Sequence, residues 1–198
     1  MVLIHDEICY FVESRNFSMK FVINGGKKLE GEVGVSGAKN AAIKALVAAS
    51  LTEGEVTIEN VPLILDFFST LNIVRELGGE VLVHDHSVSI TLKKIKNTKI
   101  PLHMGAKSRA SSMFLVPLLV REGATLIPNP GGCRIGARPI DRHIDGLKKM
   151  GATISYDSSD GYFHAKTNGL KGTTYRFEKN THTGTETLIL AAVLASGR

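Results

Sequence analysis

A lone cysteine in a glycine-rich loop is the residue of this 198-residue chain best suited to do chemistry. Cys133 follows the glycine pair Gly131 and Gly132, and two arginines, Arg134 and Arg138, lie close by in the sequence. Cationic neighbours favour thiolate over thiol, which prepares a cysteine for nucleophilic or proton-transfer chemistry. The structural alternative is a small buried cysteine beside a turn. The glycines, the arginines and the lack of an apolar flank favour a reactive Cys133.

A second candidate lies in a turn that opens a helix. Residues 36–40 read Ser-Gly-Ala-Lys-Asn and precede an apolar stretch at residues 41–51. Lys39 would place an ammonium group beside the free backbone N–H groups of a helix start, where phosphate and carboxylate bind well. The amide of Asn40 can bond to hydroxyl or carboxylate groups. An ordinary helix start with a solvated lysine is the structural alternative.

Composition narrows the class of protein. Hydrophobic residues make up 43% and charged residues 22% of the chain, as is ordinary for globular proteins. The apolar runs at residues 111–120 and 187–195 are about ten residues long, too short to span a bilayer. Residues 1–18 lack the basic start and apolar run of a secretory signal. Two cysteines, Cys9 and Cys133, do not make a disulfide framework, so we expect a reducing cytoplasm and no membrane partner.

The net charge of +5 indicates anionic partners of some kind. Aromatic residues make up only 6% of the chain, and there is no tryptophan to stack on bases. The composition therefore disfavours nucleic acid and favours small phosphorylated substrates.

A β-α-β-α-β-β unit recurs along the chain with a period of about seventy residues. In its first copy we predict a strand at 31–35, a turn at 36–40, helices at 41–51 and 64–77, and strands at 55–58, 80–83 and 87–92. In the second copy we predict a turn at 105–109, helices at 110–120 and 142–150, and strands at 124–127, 153–156 and 162–167. The third copy has a strand at 173–178, a turn at 181–184 and a helix at 186–194.

One such unit cannot bury its apolar helices alone, so repeated units stack their helices together and face their sheets outward. We therefore predict an α/β fold. The third copy is incomplete, and we expect the chain to be a fragment of a longer protein.

Four motifs resemble the UDP-N-acetylglucosamine enolpyruvyl transferases. They lie at residues 34–42, 109–111, 131–141 and 183–186, and the resemblance covers residues 19–198. The sister family that makes enolpyruvylshikimate phosphate is similar in fold but does not carry the cysteine loop. The resemblance implies an inside-out α/β barrel of two lobes, each with three copies of the repeated unit.

The resemblance also implies a reaction. Enzymes of this family transfer the enolpyruvyl group of phosphoenolpyruvate to the 3′-hydroxyl of UDP-N-acetylglucosamine and release phosphate, the first committed step of bacterial peptidoglycan synthesis. The route is addition followed by elimination, and we expect neither cofactor nor metal. Cys133 would give the proton to the methylene carbon and can hold phosphoenolpyruvate as a covalent adduct. Because the chain has cysteine there, the resemblance implies sensitivity to fosfomycin.

Binding residues carry over by motif. For phosphoenolpyruvate they are Lys39, Asn40 and Arg138. For UDP-N-acetylglucosamine they are Arg109, Arg138, Pro139, Ile140, Asp141, Arg142, Lys179, Asn180, Thr181 and His182. Taken singly, Arg109 is more typical of a surface arginine and His182 of a loop histidine. His143 is a further candidate for the substrate site, without a catalytic role.

The chain departs from the family pattern at both ends. Met19 resembles the usual start, so residues 1–18 form an extra segment and residues 19–198 the transferase domain. The second lobe, which supplies a catalytic aspartate and further arginines, is not in the sequence. The resemblance implies that the strand at residues 21–23 packs in that other lobe. Without the second lobe, this strand would lose its normal partners and leave an exposed edge.

Three functional hypotheses remain. The chain is part of a transferase whose other half lies elsewhere, a non-catalytic UDP-sugar-binding half, or a structural or regulatory module. Joint retention of Lys39, Arg109, Cys133 and Arg138 argues against the third, since a structural module needs none of them.

Overall fold

The computed structural model describes Gly26, Lys28, residues 30–131 and residues 139–197. Contacts divide the chain into two units, residues 1–34 and residues 35–198. In the first unit, the described residues include an exposed ion pair between Lys28 Nζ and Glu30 Oε1 at 2.6 Å. The predicted extra segment at residues 1–18 and the predicted strand at 21–23 lie outside the described residues.

The second unit contains the repeated elements. The first repeat comprises α1 (Lys39–Ala49), β1 (Val56–Ile58), α2 (Leu65–Glu76), β2 (Glu80–His84) and β3 (Ser87–Thr91). The second comprises α3 (Leu102–Lys107), a 3₁₀ helix (Arg109–Phe114), α4 (Leu115–Glu122), β4 (Ala124–Pro128), α5 (Asp141–Lys149), β5 (Thr153–Asp157) and β6 (Tyr162–Lys166). The third contributes α6 (His182–Ala192). Helix and strand order therefore repeats as predicted.

Each of the first two repeats forms the same antiparallel sheet. The strand orders are β1-β3-β2 and β4-β6-β5. Thr57 lies opposite Ser89 in the first sheet, and their hydroxyls are 2.8 Å apart. In the second sheet, Leu126 lies opposite His164 and also forms a parallel bridge with Lys99, so the chain before α3 adds to the edge of β4.

The core lies between the helices and the inner faces of the two sheets. Its largest fully buried side chains include Leu46 on α1, Phe67 and Leu71 on α2, Phe114 in the 3₁₀ helix and Leu118 on α4. These helices bury apolar side chains because non-polar surface leaves water at a gain of about 25 cal/mol per Å². The predicted α/β fold of stacked repeats is thus confirmed.

Two predicted strands are wrong. Residues 31–35 form no strand, and Val33 and Val35 are 89% and 91% exposed. An alternating pattern becomes a strand only where a neighbour accepts its hydrogen bonds, and none of the described strands pairs there. Residues 173–178 also form no strand, because pairing in the third repeat occurs earlier, at the parallel bridge between Lys171 and Ser196.

The predicted turn at 105–109 and helix at 110–120 also differ from the structure. Helix α3 occupies much of the predicted turn, and the helix after it begins as a 3₁₀ helix. The hydroxyls of Ser111 and Ser112 each donate to the carbonyl three residues back, at 2.8 Å. Serine hydroxyls that bond to nearby carbonyls compete with α-helical hydrogen bonding, which is consistent with the tighter first turns.

The other helices agree with prediction, apart from their bounds. Helices α2 and α5 match to within one residue, whereas α1 and α6 begin two and four residues earlier than predicted. For α6 the reason is a side-chain cap: Thr181 Oγ1 accepts from the Gly184 backbone N–H at 3.1 Å. Such a cap fixes the first turn of a helix.

Candidate functional site

One pocket of about 240 Å³ lies where the first helices of the three repeats begin. Its wall includes Lys39 and Asn40 from α1, Arg109 from the 3₁₀ helix and Thr183 from α6. Backbone N–H groups at helix starts have no partner within the helix, and they carry partial positive charge. The pocket is therefore suited to an anionic ligand.

Helix α1 reaches the pocket through a close backbone contact. The Cβ of any larger residue at position 37 would lie 1.6 Å from the carbonyl oxygen of Asn60. Asn60 itself has a positive φ of 53°, a conformation that asparagine tolerates better than most residues. Gly37 thus lets the turn before α1 pass against this carbonyl and fixes where Lys39 and Asn40 begin the helix.

Lys39 contacts a carboxylate that the sequence did not suggest. Its Nζ lies 2.8 Å from Oδ2 of Asp66, in the first turn of α2, and both side chains are about half exposed. The N-cap residue of α1, Ala38, provides no side-chain cap. The first turn of α1 therefore combines an ammonium, an amide side chain and helix N–H groups that no side chain at the N-cap satisfies.

A second ion pair lies deeper between α1 and α6. Lys44 lines the pocket and contacts Glu186 Oε1, and both side chains are partly buried. Among the described residues, Glu186 Oε2 and Thr187 Oγ1 are buried without a hydrogen-bond partner. The Lys44–Glu186 ion pair joins α1 and α6, the first helices of the first and third repeats, behind the pocket.

His143 forms a buried hydrogen-bonded part of the wall. It is 6% exposed, with Nδ1 at 3.2 Å from the Ile140 carbonyl and Nε2 at 3.0 Å from Thr183 Oγ1. Burial lowers the pKa of His143, and the positive charge of Arg109 acts in the same direction, against the Ile140 carbonyl and Glu186, which raise it. The imidazole is therefore neutral at pH 7.

The carbonyl of Ile140 can only accept, so Nδ1 of His143 carries the proton and Nε2 accepts from the Thr183 hydroxyl. Both ring nitrogens are thereby occupied within the protein. His143 positions the start of α6 at the pocket, and its predicted place in the substrate site stays a prediction.

The cysteine loop starts beside this pocket. Residues 132–138, including Cys133 and Arg138, lie outside the described residues, and their predicted roles stay predictions. Just before them, the Gly131 N–H donates to the Gly105 carbonyl at 3.0 Å. A Cβ at Gly131 would lie 2.1 Å from the Ala106 carbonyl oxygen. The start of the loop is thus packed on α3, whose last residue, Lys107, lines the pocket.

The structure does not gather all the predicted nucleotide residues. Ile140 is 5% exposed and belongs to the core, and its backbone carbonyl already accepts from His143 and Ile144. Pro139 and Asp141 are exposed at the start of α5. Arg142 lines a separate pocket of about 560 Å³ with Tyr175 and other residues.

The second predicted nucleotide segment lies at the start of α6. Lys179, Asn180 and His182 are exposed, and Thr181 caps the helix. Of this region it is Thr183 that lines the first pocket. The structure therefore brings together Lys39, Asn40 and Arg109, whereas the residues from 139–142 and 179–182 lie outside the first pocket.

The sequence analysis missed Asp66, Lys107 and Lys44, and it did not assign Thr183. A signal was available for Asp66. Asp66 and His143 lie in the first turns of α2 and α5, which are the second helices of successive repeats. The repeat therefore places both residues at equivalent helix starts. Lys107 gave no signal beyond its place two residues before Arg109 in the sequence.

Away from the first pocket, three side chains of types that can bind a metal lie close together in the hairpin formed by β5 and β6. The ligand atoms of Asp157, Asp160 and His164 lie within 4.8 Å of one another. Oδ1 of Asp157 accepts from the Ser159 hydroxyl at 2.7 Å and from the Ser159 backbone N–H at 2.8 Å, and these two bonds lower the pKa of Asp157. Asp160 likewise accepts from Tyr162 N–H at 2.9 Å and contacts His164 at 2.8 Å. These contacts identify the group as turn-stabilising.

Comparison with known proteins defines the family. Residues 23–198 match the family model of EPSP synthase (3-phosphoshikimate 1-carboxyvinyltransferase). The chain belongs to the EPSP synthase family. Among solved structures, this family member is similar in fold to the enolpyruvyl transferase NikO from Streptomyces tendae, with a TM-score of 0.62 and 22% identity over 74% of this chain and 32% of that chain. It is also similar in fold to EPSP synthase from Acinetobacter baumannii, with a TM-score of 0.66 and 20% identity over 84% of this chain and 39% of that chain.

Curated relatives in the EPSP synthase family are closer in sequence. The chain is 45% identical over 182 residues to a UDP-N-acetylglucosamine 1-carboxyvinyltransferase of Koribacter versatilis, covering 90% of this chain and 42% of the relative. Identity to the Acidobacterium capsulatum protein of the same name is 44%, covering 90% and 41%. The predicted resemblance is confirmed, and the chain spans less than half the length of these relatives.

Within the parts of the chain that the structure describes, no helix has the length and apolar character needed to cross a membrane.

Proposed function

We propose that this chain supplies one wall of the active site of a UDP-N-acetylglucosamine 1-carboxyvinyltransferase. The observation that carries the proposal is the meeting of Lys39, Asn40 and Arg109 at one pocket, although 69 residues separate Asn40 from Arg109. All three were selected from sequence motifs, and relatives 44–45% identical carry this enzyme's name.

The pocket suits the anionic parts of the substrates. Its volume of about 240 Å³ is below the range of about 300–1,000 Å³ usual for a whole drug-sized ligand, so it fits a phosphate-bearing portion and not an entire nucleotide sugar. Lys39 and the start of α1 bind the phosphate or carboxylate of phosphoenolpyruvate. Arg109 pairs with the diphosphate of the nucleotide, since its planar fork matches phosphate oxygens.

The chemical step in this proposal is an addition followed by an elimination. The 3′-hydroxyl oxygen bonds to C2 of phosphoenolpyruvate while the Cys133 thiol gives a proton to C3, and the hydroxyl proton passes to a base of the other lobe. Loss of a proton from C3 then expels phosphate and restores the double bond. Arg138 stabilises the phosphate as it leaves.

The other lobe completes the site in this proposal, and the cellular role is peptidoglycan synthesis in the cytoplasm, hence cell shape and division. A lone base typically contributes a factor of about 10²–10⁴ in rate. We therefore expect the 198-residue chain to bind UDP-N-acetylglucosamine weakly and to release no phosphate from phosphoenolpyruvate by itself.

Binding to the 198-residue chain tests the proposal. Titration with UDP-N-acetylglucosamine, followed by two-dimensional NMR, should give a weak dissociation constant that Arg109→Met raises by at least about tenfold, since charge-assisted contacts contribute about 1.5–3 kcal/mol. Arg75→Met is the matched control, because Arg75 is an exposed arginine of α2 that contacts Asn72. Equal binding by both variants would contradict the proposed role of Arg109.

Phosphate release tests turnover separately. The chain mixed with a separately produced second lobe should release phosphate only when UDP-N-acetylglucosamine is present. Binding without turnover in that mixture would instead support the non-catalytic nucleotide-sugar-binding half.

Fosfomycin labelling tests Cys133. In the mixture of the two lobes with UDP-N-acetylglucosamine, we expect the epoxide to alkylate Cys133 faster than Cys9, as read by peptide mass spectrometry. Cys9 is the internal control for general thiol reactivity. Equal labelling of both cysteines would argue against an activated thiolate at position 133.

A further inference from the structure

Helix α3 and the base of the cysteine loop fit together through two glycines, one on each side of the contact. A Cβ at Gly105, within α3, would lie 2.2 Å from Cγ of Pro128, at the end of β4. A Cβ at Gly131 would lie 2.1 Å from the carbonyl oxygen of Ala106. Cβ atoms in proteins do not approach other atoms this closely, so the two segments can touch only because neither glycine has a side chain.

Hydrogen bonds hold the base of the loop from two directions. The Gly131 N–H donates to the Gly105 carbonyl at 3.0 Å, and the Asn129 N–H donates to the Gly161 carbonyl, in the hairpin of β5 and β6, at 3.2 Å. Glycine is a poor helix former, and Gly105 lies inside a six-residue helix. Close packing against the loop base, and not helix formation, therefore accounts for glycine at this position.

This contact lies beside the cationic wall of the first pocket. Gly131 meets Ala106 near the C-terminal end of α3, and the next residue of that helix, Lys107, lines the pocket. In the other direction, two peptide units lead from Gly131 to Cys133, a span of at most about 7 Å. One backbone contact therefore joins a cation of the pocket wall to the loop that contains the thiol.

We propose that Gly105 and Gly131 are positioning residues, whose contact holds Cys133 within the electrostatic field of Lys107. The inference rests on the proposed role of Cys133 as the proton donor. An ammonium group near a thiol stabilises the thiolate that remains after the proton has left. A side chain at either glycine would overpack the contact and push the loop base away from α3.

Alkylation of the 198-residue chain by two reagents tests the proposal. Iodoacetate is an anion and iodoacetamide is neutral, and both attack the thiolate. The ratio of their rate constants therefore cancels the thiolate fraction and reports the positive field that the anion meets. Peptide mass spectrometry measures this ratio at Cys133. Arg134 and Arg138 are sequence neighbours that raise it in every variant, so the change caused by Lys107 is what reports the contact.

The variants disturb the contact from its two sides and remove the nearby charge. They are Gly131→Ala, Gly105→Ala, Lys107→Met, and each glycine variant combined with Lys107→Met. Gly54→Ala is the control for the glycines, because a Cβ there has only ordinary contacts. Lys94→Met is the control for charge, because Lys94 is an exposed lysine of the first repeat. Two-dimensional NMR shows which variants are folded.

We expect Lys107→Met to lower the ratio of iodoacetate to iodoacetamide rates at Cys133 about twofold in about 0.01 M salt, the effect of one charge about 8 Å away in water. Gly131→Ala and Gly105→Ala should lower the ratio by a similar factor, and the two control variants should leave it unchanged. In either glycine variant, Lys107→Met should have no further effect, because the charge and the glycines act through one contact. Glycines that served stability alone would not produce this coupling.

Three results would overturn the inference alone. They are no effect of Lys107→Met, an equal effect of Lys107→Met with and without the glycines, or unfolding of both glycine variants, which would make the contact a requirement of the fold. A different result concerns the proposed function. If iodoacetamide alkylates Cys133 no faster than Cys9 in the wild-type chain, the thiol is not activated, and the proposed role of Cys133 fails regardless of the glycine variants.

Discussion

Two pairs of side chains bridge the starts of neighbouring helices at the same pocket, and they differ in charge and burial. Lys39 and Asp66 join the starts of α1 and α2 through an ion pair in which both side chains are about half exposed. Thr183 and His143 join the starts of α6 and α5 through a part-buried hydrogen bond in which the imidazole is buried. The repeated unit thus places bridging side chains at equivalent positions and gives them different chemistry.

The difference separates a structural contact from one available to a ligand. A buried hydrogen bond is costly to leave half made, since the abandoned partner has no water to replace it. An exposed ion pair exchanges its partner for water or another ion at small cost. We infer that the His143 side of the pocket fixes its shape, and that the Lys39 side responds to what binds.

The largest effect should come from Gly37, on which the position of Lys39 depends. Gly37→Ala would place a methyl group against the Asn60 carbonyl, 1.6 Å from its oxygen. Overpacking of this kind costs about 1–3 kcal/mol, so the free energy of unfolding in urea should fall by about 3 kcal/mol.

Gly54→Ala is the control for this prediction, because a Cβ there meets only ordinary contact at 3.6 Å from Thr52 Oγ1. If Gly37→Ala and Gly54→Ala lowered the free energy of unfolding by the same small amount, the turn before α1 would adjust freely. Gly37 would then not fix the position of Lys39.

The hydrogen bond between the buried His143 and Thr183 should matter next. Thr183→Val keeps the shape of the side chain but leaves His143 Nε2 without a donor, at a cost of about 1–3 kcal/mol. Urea unfolding should show this loss, whereas Thr174→Val, at an exposed position, should be nearly neutral. If Thr183→Val left the free energy of unfolding unchanged, the hydrogen bond between α5 and α6 would contribute as little to stability as the exposed ion pair.

The same histidine predicts a pH dependence. Because burial lowers the pKa of His143 below its ordinary value of 6.5, the unfolded chain binds a proton more readily than the folded one. Stability from this group is complete above pH 6.5 and is lost as pH falls toward the lower folded value. His143→Phe should therefore reduce the decline in melting temperature between pH 7 and pH 5. An identical decline in the variant would show that His143 does not titrate as its burial requires.

The sequence predicted those parts of the site that follow from local signals. Lys39 and Asn40 were found because a glycine-containing turn before an apolar stretch is a helix start. His143 was named as a candidate for the substrate site, but its partner Thr183 was not identified, because the two residues lie 40 positions apart in the sequence. Asp66 was missed for the same reason, since 27 residues separate it from Lys39.

Strands were predicted less well than helices, for a related reason. Helical hydrogen bonds are local, so α2 and α5 were placed to within a residue. A strand depends on its neighbour, and the alternating residues at 31–35 have none among the described strands. The third repeat shows the same error, because its pairing at Lys171 lies before the pattern that predicted a strand at 173–178.

The smallest effect should be that of the charged pair on stability. Asp66→Asn should change the free energy of unfolding by less than about 1 kcal/mol, because the pair is half exposed. Urea unfolding beside Glu76→Gln, which removes an exposed carboxylate from the other end of α2, would measure it. A loss as large as that of Thr183→Val would mean that both bridges are structural, and the contrast between them would fail.

The central claim is that helix starts from successive repeats form one anion site, and NMR shift mapping tests it most directly. Phosphoenolpyruvate, added to the 198-residue chain with UDP-N-acetylglucosamine present, should shift the backbone amides of Asn40, Arg109 and Thr183 along one common binding curve. The amide of His164, in the hairpin between β5 and β6, should stay unchanged. Shifts confined to one helix start, or spread equally to His164, would contradict the account.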